Sequence, residues 1–236
     1  MVKVAIAGGT GGLGLHIVEG IVETGEHEVV VLSRKADVPY LASLGVTVCA
    51  VSYDDPASLA SALVGVHTVI STISSPDIQS AIHSQLALLD AAVKAGVKRF
   101  APSEFGNRSV PNNPVEPFRF KWPVLEAVKK SGLEYTVFEI GIFMNYLASG
   151  TEGIGHLRPL KFIFDIENCK VTMPGDGSAK VAYIRVEDVG KFVAASLNLP
   201  SWPEVSQMKG DLVALNEVLT LVKSVRGEYP TSTTQI

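Results

Sequence analysis

The sequence predicts an α/β fold: a doubly wound parallel sheet with a smaller region appended. Three observations carry that prediction. Short apolar runs alternate with longer amphipathic segments through the first half of the chain. The apolar runs are continuous rather than alternating, as in strands buried on both faces. Glycines punctuate the ends of the amphipathic segments, where a left-handed C-cap is wanted. Right-handed crossovers then wind helices over both faces of the sheet, giving the Rossmann-type arrangement.

The elements follow in order. Strands are expected at Val2–Ala7, Val29–Leu32, Val46–Val51, Val69–Thr72, Arg99–Ala101 and Tyr135–Phe138, rich in β-branched and aromatic residues and bounded by Gly, Ser or Pro. Helices are expected at Leu13–Thr24, Pro56–Leu63, Ile78–Ala95 and Pro123–Lys130, with Gly25, Gly65, Gly96 and Gly132 at or just past their ends. After about Gly141 the rhythm changes. Lys161–Phe164 and Lys170–Met173 read as short strands, Val186–Leu197 and Leu215–Val225 as helices, and the polar tail Tyr229–Ile236 as frayed. The reading is therefore a sheet domain over residues 1–140 and a smaller substrate-side region over 141–236.

Composition narrows the function classes. The 236 residues are 47% hydrophobic and 19% charged, the balance of a folded globular protein. A net charge of −4 with no long basic cluster argues against nucleic acid and anionic membranes as partners. Cys49 and Cys169 lie far apart, which fits a reducing compartment. Met1–Ala7 run straight into a glycine-rich turn without a separate charged leader, so a cytoplasmic protein is expected. No His/Cys/Asp cluster has metal-ligand spacing, so no metal is expected.

The turn is Gly8-Gly9-Thr10-Gly11-Gly12-Leu13-Gly14, between a predicted strand and a predicted helix. It reads as GxxGxxG from Gly8 or as GxGxxG from Gly9, and both registers serve the same physics. Glycines allow a positive-φ turn and let backbone N–H groups approach a pyrophosphate, while the helix N-terminus supplies anion binding. Gly8, Thr10, Gly11, Gly12, Leu13 and Gly14 are thus candidate dinucleotide contacts. At the end of the second strand an acidic residue would bind the ribose of NAD, whereas an Arg accommodates the 2′-phosphate of NADP. The sequence there is Leu32-Ser33-Arg34-Lys35. Arg34 offers a planar fork, Lys35 a second charge and Ser33 a donor, so NADP(H) is the expected cofactor.

The segment Val97-Lys98-Arg99-Phe100-Ala101-Pro102-Ser103-Glu104-Phe105-Gly106 resembles the KRF-x-PSEFG signature of the NmrA-like, isoflavone reductase-like group of atypical short-chain dehydrogenases. The glycine turn, Arg34, Val69–Thr72 and Leu133–Val137 are similar to that family's landmarks in their expected order. The resemblance, spanning roughly Val2 to Val225, implies cofactor contacts at Ser71, Thr72 and Ile73 and at Pro102, Ser103 and Phe105. It also implies that Lys121, fourteen positions before Tyr135, is the catalytic acid/base. No Tyr is followed four positions later by Lys, so the ordinary short-chain dehydrogenase pair is absent. The implied activity is NADPH-dependent reduction of a small aromatic or hydrophobic metabolite, with Lys121 deprotonating a phenol. A non-catalytic NADP(H)-binding redox sensor with a protein partner, and a redox-neutral isomerase or cyclase, are the competing readings. Relative to that family the region after Val225 is short, which implies missing pocket-closing material.

Other residues carry weaker expectations. Glu104 and Asn107 would orient the signature loop or touch substrate. Phe143, Met144, Asn145 and Tyr146 would line the pocket or pack in the core. His83 reads as structural, and His16, His27, His67 and His156 show no partner pattern.

Overall fold

In the computed structural model the structure describes residues 1–227 and 233–235. The first half alternates strands and helices: β1 (Lys3–Ala7), α1 (Gly12–Thr24), β2 (Glu28–Ser33), α2 (Pro39–Ser43), β3 (Thr47–Ala50), α3 (Pro56–Ala62), β4 (Thr68–Ser71), α4 (Ile78–Lys94), β5 (Arg99–Ala101), α5 (Lys121–Lys130) and β6 (Glu134–Tyr135). These strands form one parallel sheet in the order β3-β2-β1-β4-β5-β6. The strand pleat sorts the core onto two faces. Val4 and Ile6 of β1 join the cluster of Ile17, Ile21 and Val189, whereas Ala5 and Ala7 join that of Leu59, Leu88 and Phe100. Burying each large side chain of this kind stabilises the fold by roughly 1.5–3 kcal/mol.

The chain continues through β7 (Val137–Ile140), β8 (Ile142–Phe143), β9 (Phe164–Asp165), β10 (Lys170–Met173), β11 (Lys180–Ile184), α6 (Val186–Ser196), β12 (Val205–Met208), β13 (Asp211–Ala214), α7 (Leu215–Arg226) and β14 (Thr233–Gln235). Material from beyond residue 140 pairs with and covers what precedes it, outside the six-stranded sheet itself. β12 pairs in parallel with β7, and α6 packs along α1, with Gly20 and Gly190 where the two backbones touch. Arg99, at the start of β5, fastens this later material to the sheet. Its buried guanidinium donates to Glu134 and to the carbonyls of Leu197, Leu199 and Pro200, and lies over the Trp202 ring. The Arg of the signature segment is therefore a staple at the far end of the sheet from the glycine turn.

Several expectations need correction. Tyr135–Phe138 is not one strand. β5 ends before Pro102, which has no N–H to extend a ladder, and past Thr136 the chain pairs with β12 instead. Thr136 Oγ1 and Ser206 Oγ meet at 2.9 Å across that new pair. In Lys161–Phe164 only Phe164 is in a strand, while Lys161 bridges Asp165 and Glu167. Of the tail expected to fray, Thr233–Gln235 pair in parallel with β10, and residues 229–232 and 236 lie outside the described residues. Strands β8, β11, β12 and β13 and helix α2 were not anticipated.

Candidate active site

Parallel strands put every βα connection at one edge of the sheet, and the candidate residues collect there. The glycine turn leaves β1 with Gly8 at φ +84°, and Gly11 N–H donates to Gly8 O at 2.9 Å. Leu15 N–H then makes the first α-helical bond, to Gly11 O at 2.8 Å, so the N–H groups of Gly12, Leu13 and Gly14 face off the helix end. A Cβ on Gly14 would stand 2.2 Å from Gly8 O, and one on Gly8 2.7 Å from Thr72 Oγ1. A Cβ would also crowd Val31 at Gly9 and the His156 carbonyl at Gly12, each at 2.8 Å, but at Gly11 would meet only Gly8 O at 3.3 Å, so these contacts do not choose between the two registers. Thr10 and Gly11 are exposed at the tip, with Gly12 and Leu13 half-buried.

The end of β2 lies alongside, because Ala7 pairs with Leu32. Ser33 is buried and its Oγ accepts from Lys35 N–H, whereas Arg34 and Lys35 are exposed. Arg34 lies near enough to Tyr53 for its charge to act on a phenol that burial pushes up to about 12.

Beyond β4, Thr72 clamps the turn from below: its N–H and Oγ1 both donate to Ala7 O. Ser71 is wholly buried, donates to Gln85 Oε1 at 3.2 Å and accepts from Ile73 N–H. Ser103 N–H, beyond β5, donates to the same Gln85 oxygen at 2.9 Å. Pro102 is buried beside it, and the half-buried Phe105 ring stacks on Phe138 with centroids 5.3 Å apart.

Lys121 opens α5 and is 4% exposed. Its Nζ donates to the backbone carbonyl of Glu104 at 3.1 Å and sits 4.6 Å from the Phe118 ring centroid. Gly106 leaves room for it, since a Cβ there would stand 3.2 Å from Nζ. Burial disfavours the ammonium and lowers its pKa, with the nearby Glu104 carboxyl opposing. Burial likewise pushes the Glu104 carboxyl up, against a 2.6 Å bond from Ser109 and the charge of Lys121. The loop is pinned by Ile140 N–H on Gly106 O and by Arg108 on Glu139. Lysine and signature loop are thus brought into contact, at the same edge as the glycine turn.

The remaining candidates divide. Asn145 is structural: its amide donates to Gly153 O and Glu187, and its oxygen accepts from Val186 N–H at the start of α6. Phe143 and Tyr146 pack edge to face, and Asn107 is exposed. His83 pairs with Asp54 on the surface. His16 and His156, to which the sequence assigned no partner, meet around Glu19. His16 Nδ1 and His156 Nε2 lie 3.2 and 2.6 Å from its carboxylate, and Tyr40 also donates to it. These ligand atoms lie within 4.8 Å of one another, as a metal site would require. However, His16 Nε2 accepts from His156 N–H, so Nδ1 carries the proton and turns it toward Glu19. That tautomer leaves no lone pair for an ion. Gln85 was missed altogether, although a polar residue on the Ala81, Leu88, Ala92 stripe of α4 was a readable signal.

Comparison with known proteins adds a family and relatives. The model described as NmrA-like family matches residues 2–232. The chain is 36% identical to oxidoreductase BOA1 of Botryotinia fuckeliana over 97% of its own length and 77% of that protein's. It is 32% identical to the bifunctional pinoresinol-lariciresinol reductase of Thuja plicata, over 84% of its own length and 66% of that reductase's. The solved structure of AtPrR2 with NADP+ and (+)pinoresinol superposes with a TM-score of 0.78 at 28% identity, covering 99% of this chain and 79% of that one. Among the described residues no helix is long and apolar enough to cross a membrane.

Proposed function

The chain belongs to the NmrA-like family, and from that premise we propose that it is an NADPH-dependent reductase of a small aromatic or hydrophobic metabolite. Its relatives include an oxidoreductase and plant pinoresinol-type reductases, one of them solved with NADP+. The observation that carries the reading is Lys121: a lysine amine buried against the signature loop, its charged form disfavoured, at the edge where the glycine turn opens.

The residues present fit the dinucleotide. Gly8, Gly11 and Gly14 form a turn without side chains, and Gly12, Leu13 and Gly14 offer N–H groups to a diphosphate. Arg34, exposed just past the end of β2, would grip the 2′-phosphate, with Lys35 and Ser33 around it. Ser71, Thr72 and Ile73 and then Pro102, Ser103 and Phe105 would floor the nicotinamide end. Bound NADPH supplies the hydride. Lys121 Nζ, its ammonium form disfavoured by desolvation, would take the proton of a substrate phenol, so that the phenolate expels a benzylic leaving group and leaves a quinone methide for the hydride to reduce. The elements beyond residue 140 would wall the substrate side.

The test is a screen of benzylic ethers and aromatic enones for NADPH oxidation, comparing the wild type with Lys121→Ala. Turnover should fall by about 100- to 10,000-fold in the variant. Unchanged turnover would remove Lys121 from the mechanism, and no turnover of any such compound would refute the substrate class.

A further inference from the structure

We propose that Gln85 is a positioning residue, a brace that sets the spacing between the two loops on which the nicotinamide end of the dinucleotide would rest. The inference rests on the function proposed above. Its evidence is independent of Lys121 and of the glycine turn.

Gln85 lies on α4 and is 1% exposed. Its Oε1 accepts from Ser71 Oγ, at the end of β4, and from Ser103 N–H, just past the end of β5. Ser71 Oγ, oriented by that bond, accepts in turn from Ile73 N–H at 3.4 Å. One oxygen therefore fixes the start of both loops, 18 positions from one donor and 14 from the other along the chain. The two strands themselves pair only as far as Ile70 and Ala101. Past that point the described hydrogen bonds between the two loops run through Gln85.

The other half of the amide shows what the side chain is for. Gln85 Nε2 is shielded from water and has no partner among the described residues. A buried unpaired donor weakens the fold. The position thus carries an amide for its oxygen, at a cost in stability that an apolar side chain of similar size would not incur. Such a residue serves the geometry of what it holds more than the stability of the core.

Three forms of the full-length protein test this: wild type, Gln85→Met, which lacks the acceptor, and Gln85→Glu, which keeps one. Amide hydrogen exchange without cofactor should show Ser103 and Ile73 exchanging together about ten-fold faster in Gln85→Met, with the rest of α4 protected as in the wild type. NADP+ affinity, titrated calorimetrically, should fall on the order of ten-fold in Gln85→Met. Gln85→Glu should restore both readouts toward wild type, a rescue that simple core filling would not give. The proposal is overturned if either amide exchanges at the wild-type rate in Gln85→Met. It is also overturned if exchange rises while NADP+ affinity stays the same, or if Gln85→Glu behaves like Gln85→Met. Should Gln85→Met not fold, Ser71→Ala must speed exchange at Ile73, and an unchanged rate there overturns the brace. A wild-type protein that ignores NADP+ refutes the proposed function and the cofactor half of this inference; the brace itself is still decided by exchange.

Discussion

Replacing Gly14 by Ala should cripple the turn, whereas the same change at Gly11, three residues earlier, should leave the fold nearly intact. The added methyl at Gly14 would lie 2.2 Å from Gly8 O and 2.8 Å from Gly9 Cα. A carbon resting against a carbonyl oxygen needs about 3.3 Å. The start of α1 must therefore retreat by roughly 1 Å from backbone that cannot yield. Ala gains about 1 kcal/mol over Gly in helix propensity. Overpacking costs about 1–3 kcal/mol, more where the obstacle is main chain. With main chain as the obstacle the steric term lies at the upper end of its range, and a net loss of about 2 kcal/mol is expected in urea denaturation. At Gly11 the methyl meets only Gly8 O, at 3.3 Å, and φ of −88° suits any residue. Its cost should be about 0.5 kcal/mol. NADPH binding, followed by nicotinamide fluorescence, should weaken in both variants, through displaced donors in one and a methyl at the exposed tip in the other. A Gly14→Ala protein as stable as the wild type would refute this account of the turn.

Two further outcomes are expected. Arg34→Ala should weaken NADPH by about 10- to 100-fold, the worth of a charge-assisted bond, and leave NADH unchanged; equal losses for both cofactors would contradict the assignment of the 2′-phosphate to Arg34. His16 is held below its ordinary pKa by burial, aided by His156 and opposed by Glu19 and Glu187. The unfolded chain therefore takes up a proton near pH 6.5 that the folded protein refuses, and stability is lost as pH falls from there toward the folded pKa. His16→Gln should flatten that acid limb in thermal melts, and a limb of undiminished slope would show that other groups set it.

Much of the sheet was legible because its strands are buried on both faces and read as unbroken apolar runs. The glycine turn was legible because its spacing is local, and the signature segment drew attention to Lys121, which the fold places against it. Where contacts span the chain the sequence was mute. His16 and His156 meet 140 positions apart, so neither shows a partner pattern. β12, with the sequence Val-Ser-Gln-Met, is short and half polar, and only its pairing with β7 makes it a strand. Thr136 interrupts what looked like one apolar run, because the hydrogen-bonding neighbour changes there from β5 to β12. Gln85 was readable in principle, as an amide on a buried stripe, but its two donors come from loops that only the folded sheet brings together.

Deuteride transfer tests reduction by this protein most directly. The protein is mixed with NADPH deuterated at the reactive face of C4 and a benzylic ether carrying a free phenol, and the product is analysed by mass spectrometry. A reductase built on Arg34, the glycine turn and Lys121 leaves deuterium at the benzylic carbon and forms little product as Lys121→Ala. Unlabelled product, or none from protein saturated with NADPH, would contradict it.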